Sequence, residues 1–95
     1  MDDDSIRALQ QRLEQVIFAR LSLEDPAATV TSCLRDGCKI DMTIISRRFE
    51  GMDDLERSAY FWPMLEEVPR SELVYMTYCL QLTPDEAMEL FAEST

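Results

Sequence analysis

The chain has 95 residues, of which 46% are hydrophobic and 29% charged, with 2 glycines and 4 prolines. That profile supports one folded core and leaves no material for a second, so residues 1–95 read as a single domain. A formal charge of −10 makes nucleic acid an unlikely partner on net charge, because a domain that grips a phosphate backbone carries a basic stripe.

No stretch approaches the roughly 18 apolar residues of a membrane span, and no signal-peptide pattern opens the sequence. Cys33, Cys38 and Cys79 form an odd set that suits a reducing compartment. A cytoplasmic protein with no membrane partner is expected.

From Asp2 the chain reads Asp-Asp-Asp-Ser. Ile6, Leu9, Leu13, Val16, Ile17 and Leu21 then recur at the spacing of one helical face. Acidic residues at its start and Arg20 near its end complement the helix dipole. The helix should end before Pro26, with Arg7, Gln10, Gln11 and Glu14 facing water.

Beyond Pro26 the β-branched content rises. Two runs, Ala27 to Leu34 and Lys39 to Ser46, flank Asp36-Gly37, a pair that suits the positive φ of a hairpin turn. In the second run Ile40, Met42 and Ile44 alternate with Lys39, Asp41 and Thr43, so one face should be buried and the other open.

After Gly51, Asp53 and Glu56 have the spacing of a capping box. The helix they open should bury Leu55, Ala59, Phe61 or Trp62, and Leu65, and should kink or divide near Tyr60 because Pro63 lies inside it. Val68-Pro69-Arg70-Ser71 then breaks the chain. The apolar run from Leu73 to Leu82 follows as a strand, with Val74, Met76, Tyr78, Leu80 and Leu82 on the core side and Tyr75, Thr77, Cys79 and Gln81 on the other. Thr83-Pro84-Asp85-Glu86 is a second capping box with proline at the first helical position. Ala87, Met88, Leu90 and Phe91 complete a short closing helix that frays at Glu93-Ser94-Thr95.

The element order is therefore α-β-β-α-β-α. A hairpin, a crossover helix and a third strand imply an α+β two-layer domain, a three-stranded mixed sheet with its helices on one side and the third strand beside the second.

Several motifs along this order coincide with those of one family. Ile44-Ile45-Ser46, Phe49-Glu50-Gly51, Arg57, Leu65 and Thr83-Pro84-Asp85-Glu86 resemble the BolA family over about Ile40 to Ala87. The resemblance implies a KH-like fold and a non-enzymatic adaptor or regulator that binds a monothiol glutaredoxin and shares a [2Fe–2S] cluster with it. The family's cluster ligands are a histidine of the last strand and a Cys or His of the loop between the first two strands. Carried over by motif, those positions fall at Tyr75 and at Cys33 or Cys38, and the helix histidine falls at Ser58. The chain contains no histidine, and a tyrosine substitutes poorly for imidazole at a thiolate-rich iron site. No cofactor is expected on the chain alone.

Without histidine there is no Ser-His or Cys-His pair, and Asp53, Glu56, Asp85 and Glu86 stand where helix caps need them, so catalysis is not expected. Cys33 and Cys38 have the spacing of half a zinc site, but closure needs four ligands and only Cys79 remains; alternation puts Cys33 and Cys79 on the open side of the sheet. The methionines fall mainly on core faces, and Tyr60 and Trp62 beside Pro63 are candidates for an exposed aromatic spot. Arg47, Arg48 and Arg57 form the one basic district. They would serve a partner surface or, in the alternative reading, a KH-like nucleic-acid-binding transcriptional regulator.

Overall fold

The structure is a computed structural model that describes residues 2–93. It contains α1 (Asp3–Leu21), β1 (Thr29–Arg35), β2 (Lys39–Ile45), a 3-10 turn (Arg47–Phe49), α2 (Asp54–Phe61), a second 3-10 turn (Trp62–Leu65), a single helical turn α3 (Arg70–Leu73), β3 (Met76–Leu82) and α4 (Pro84–Glu93). This is the expected α+β domain with a three-stranded mixed sheet. The strand order is β1-β2-β3, antiparallel between β1 and β2 and parallel between β2 and β3. Expected fraying at Ser94 and Thr95 lies outside the described residues.

The aspartates at the start of the chain begin α1 as anticipated: the Asp2 side chain caps the helix by accepting from the Ser5 amide at 2.7 Å. Ile6, Leu9, Leu13, Ile17 and Leu21 are buried along one stripe. That stripe packs with Ile40, Met42 and Ile44 of β2 and with Phe49, Phe61 and Leu65 in one core cluster. At about 1.5–3 kcal/mol per fully buried large side chain, this contact dominates the hydrophobic stabilisation of the domain. The far side of α1 departs from expectation at two positions. Gln10 and Glu14 do not simply face water, since Gln10 Nε2 donates to Ser32 Oγ at 2.9 Å and Ser32 Oγ donates to Glu14. Ser32 lies on the β1 face that α1 crosses, opposite Met42.

Asp36 and Gly37 take φ of 57° and 74°, and the Cys38 amide closes the turn on the Arg35 carbonyl at 3.3 Å. Asp53 and Glu56 form the expected capping box, with reciprocal bonds of 2.8 and 3.1 Å. Pro63 divides the helix as its chemistry requires: α2 stops at Phe61 and the chain continues in the tighter 3-10 turn.

The inward face of α2 differs from the sequence expectation. Leu55 is 79% exposed and Ala59 is exposed, whereas Arg57 and Phe61 are buried. The reason is periodic. Phe61 and Leu65 define the buried stripe, and one turn back from Phe61 is Arg57, so Leu55 is rotated well away from it.

A similar displacement affects the last strand. Val74 caps α3 at its carboxyl end and is 69% exposed, and the strand begins at Met76. Between Ile40↔Met76 and Asp41↔Tyr78 the register shifts by one residue, so Thr77 is an extra residue and the alternation inverts after it. Tyr78 and Leu80 then share the face of Asp41 and Thr43, while Cys79 and Gln81 share the face of Met42 and Ile44. Tyr78 is accordingly 54% exposed rather than buried. Cys79, expected on the open side, packs against the core instead.

Candidate functional site

The motif residues converge on a clamp at one end of the sheet. Ser46, at the end of β2, donates through its amide to the Leu82 carbonyl at 2.9 Å and through its hydroxyl to Asp25 Oδ2 at 2.9 Å. Asp25 also accepts from the amides of Arg47 at 3.1 Å and Ala27 at 3.2 Å. The carboxylate therefore joins the α1–β1 connection to the end of β2, and the Ser46 amide ties that point to the end of β3. The Ser46 hydroxyl holds the Asp25 carboxyl below the usual carboxylate range, against the upward push of burial.

Phe49 is buried, and the Arg57 guanidinium stands over its ring at 5.8 Å. Arg57 donates to the Met52 carbonyl at 3.0 Å, the Gln81 carbonyl at 2.9 Å and Glu86 at 2.7 and 3.3 Å. Glu86 also accepts from the Thr83 amide at 2.8 Å, while Thr83 Oγ1 accepts from the Glu86 amide at 3.2 Å, closing the second capping box. The bond from Arg57 is the main reason the Glu86 carboxyl lies below its ordinary pKa. Thus Ser46, Phe49, Arg57, Thr83 and Glu86, the residues that carry the family resemblance, hold β2, α2, β3 and α4 together. Their evident chemistry is structural.

The three basic candidates do not form a patch. Arg57 has only 11% of its side chain exposed, and its donors point inward. Arg48 pairs with Glu24 and lies over the Tyr60 ring at 5.1 Å. Tyr60 is half-buried, meets Phe49 edge-on at 6.1 Å and donates to Glu24 at 2.8 Å, whereas Trp62 is 46% exposed. Arg47 is exposed on the turn after β2.

The proposed cluster edge is split. Cys38 is exposed in the hairpin turn, and the Tyr75 carbonyl accepts from the Ile40 amide at 2.8 Å, so Cys38 and Tyr75 belong to the same end of the sheet. Cys33 is exposed on the open face of β1, opposite Asp41. Tyr75 is half-buried and packs against the core. Among the described residues no group of three or more His, Cys, Asp or Glu side chains is arranged to hold a metal ion. The exposed Cys38 thiol could serve as the loop ligand, but a half-buried phenol does not match the imidazole of the last strand, so the donor set does not fit the family's [2Fe–2S] ligand pair. Cys79 is half-buried against the core, and burial pushes its thiol up to about 11.

The surface that sequence reasoning missed lies along β3. Leu80 lines two adjoining clefts. One, of about 180 Å³, is bounded by Asp54, Arg57 and Ser58 from α2 and by Cys79 and Gln81. The other, of about 290 Å³, is bounded by Leu82, Glu86, Glu89 and Leu90. The Arg57–Glu86 pair stands between them, contributing one residue to each wall. Leu82 and Ala87 are buried here but lie outside the main core cluster, and Met88, Leu90 and Phe91 remain 72%, 42% and 49% exposed. A large apolar fraction in a helix as short as α4 was the available signal; the inverted alternation that brings Leu80 and Leu82 to it was not readable.

Compared with protein-family models, curated proteins and solved structures, the chain finds no significant match.

Proposed function

We propose that the protein is a non-enzymatic adaptor or regulator of BolA-like fold that acts through a protein partner in the cytoplasm. The observation that carries this reading is the apolar cleft lined by Leu80 and Leu82 of β3 and Leu90 of α4, where Leu90 stays 42% exposed. Large exposed apolar side chains gathered in one district are characteristic of protein-binding surfaces. The carboxylates Asp25 and Glu86 support the same reading, since both are engaged in hydrogen bonds that hold the fold together. The distribution of basic residues favours a protein over nucleic acid, because Arg48 and Arg57 are ion-paired within the chain.

The partner suggested by the resemblance is a monothiol glutaredoxin. The test is anaerobic co-purification with the cluster-loaded glutaredoxin, followed by visible absorption and circular dichroism of the complex. The expected result is a complex whose cluster spectrum is unchanged. A spectrum that shifts, and reverts with Cys33→Ser or Cys38→Ser, would instead establish thiolate ligation from this chain. Failure to form any complex would remove glutaredoxin as the partner. Turnover of a substrate by the purified protein, abolished by Arg57→Ala without unfolding, would overturn the non-enzymatic reading. Binding to DNA or RNA that weakens steeply with salt would replace the adaptor with a nucleic-acid regulator.

A further inference from the structure

From the cleft between β3 and α4 we infer a docking site for a cationic amphipathic segment of another protein, one that seats an apolar side chain between Leu80, Leu82 and Leu90 and places lysine or arginine against the acidic wall. The inference deepens the adaptor reading and rests on it.

The floor is apolar by construction. After the irregularity at Thr77, Leu80 and Leu82 pair with Thr43 and Ile45 and so fall on the face of the sheet opposite the α1 core. Leu90 meets them from α4 across a cleft of about 290 Å³, room for one or two side chains. Leu80 is half-buried and Leu90 is 42% exposed, so an entering apolar group removes further leucine surface from water.

Charge decides between occupants. The wall of the cleft carries Glu86 and Glu89, and Asp85 precedes them on the same helix. From Pro84 to Glu93 the sequence contains no lysine or arginine. Arg57 is bound to Glu86 and to two backbone carbonyls and offsets the Glu86 charge, so the acidic character of the wall comes from the exposed Asp85 and Glu89. Glu89 is exposed at the rim. A basic segment meets an opposite potential here and is steered towards it. A second copy of the chain brings the same acidic wall and a further net charge of −10, and an anionic lipid surface is repelled for the same reason. The binding mode is an apolar anchor in a groove with charged flanks.

The test uses the intact protein and a fluorescein-labelled synthetic peptide of leucine and lysine in the helical apolar pattern, with a peptide in which glutamate replaces lysine as its counterpart. Anisotropy titrations should show binding of the lysine peptide alone, weakening as salt is raised. Leu90→Asp and Glu89→Lys should each reduce that affinity by about tenfold or more. Leu23→Asp, at a residue 85% exposed in the connection after α1, should leave it unchanged. Far-UV circular dichroism checks that each variant folds, and both cleft positions are exposed enough for substitution without loss of the core. Wild-type affinity in Leu90→Asp and Glu89→Lys would overturn the site. Equal binding of the glutamate peptide would overturn the charge argument. Self-association in sedimentation equilibrium that disappears with Leu90→Asp would make a second copy the occupant and overturn the proposal. Loss of the cleft while the glutaredoxin complex persists would leave the adaptor reading standing, so the two failures are distinguishable.

Discussion

The first helix and the last are held in different ways. On α1, five side chains from Ile6 to Leu21 are each at most 1% exposed, and all join the main core. On α4, Ala87 is the buried side chain among those described, while Met88, Leu90 and Phe91 keep much of their surface. What fixes α4 is polar: the Thr83–Glu86 capping box and the Arg57–Glu86 pair. The domain thus builds its stability at one end of the chain and displays apolar surface at the other. A helix tied by a cap and an ion pair can leave side chains such as Met88 and Leu90 exposed towards a partner, which a helix held by burial cannot.

Truncating each helix tests this contrast most strongly. Leu13→Ala should cost about 2–5 kcal/mol in urea denaturation, since a completely buried side chain leaves a cavity. Leu90→Ala should cost less than about 0.5 kcal/mol, the range for surface substitutions away from special contacts. Similar losses at both positions would abolish the distinction.

Arg57→Ala should follow, at about 2–3 kcal/mol, because it removes charge-assisted bonds and strands the Met52 and Gln81 carbonyls. Hydrogen exchange sharpens the prediction. The α4 amides should lose protection more than those of α1, whereas equal loss would show that Arg57 supports the whole domain evenly.

Acid should loosen the clamp next. The folded-state pKa values of Asp25 and Glu86 lie below their ordinary values of 3.8 and 4.5. Near pH 4 the unfolded chain therefore binds more protons than the folded one. The stability these groups contribute is present above the ordinary values and is lost as pH falls through the folded ones. Asp25→Asn should lower stability by about 1–2 kcal/mol at pH 7, with the gap from wild type closing as the medium becomes acidic. A gap independent of pH would show that the contact stabilises through packing and not charge.

A further, modest effect lies away from both helices. Gly37→Ala at φ of 74° meets no neighbouring atom, so only backbone strain opposes it, at about 1 kcal/mol. Thermal melts should register that loss without changing binding at the β3–α4 cleft.

The candidate site was legible only in part. Asp53, Glu56, Thr83 and Glu86 announce their caps through spacing, and the structure forms both boxes. Nothing local announces that Glu86 also receives Arg57, or that Asp25 reaches Ser46 across 21 positions of sequence. Leu55 and Ala59 read as inward from sequence because they are apolar. The stripe set by Phe61 and Leu65 puts Arg57 there instead, where backbone carbonyls and Glu86 satisfy its charge.

By itself the sequence determined what depends on near neighbours: the buried stripe of α1, the turn at Asp36-Gly37, the division at Pro63, the two capping boxes and the element order. Periodicity, positive φ and caps act over a few residues, so they can be read from a single chain. Tertiary structure decided the rest. The alternation of β3 is set by its register on β2, and the extra residue at Thr77 turns Cys79 towards the core and brings Tyr78 and Leu80 to the open face. No residue of the strand signals that inversion, because the hydrogen-bonding partners that cause it belong to another strand.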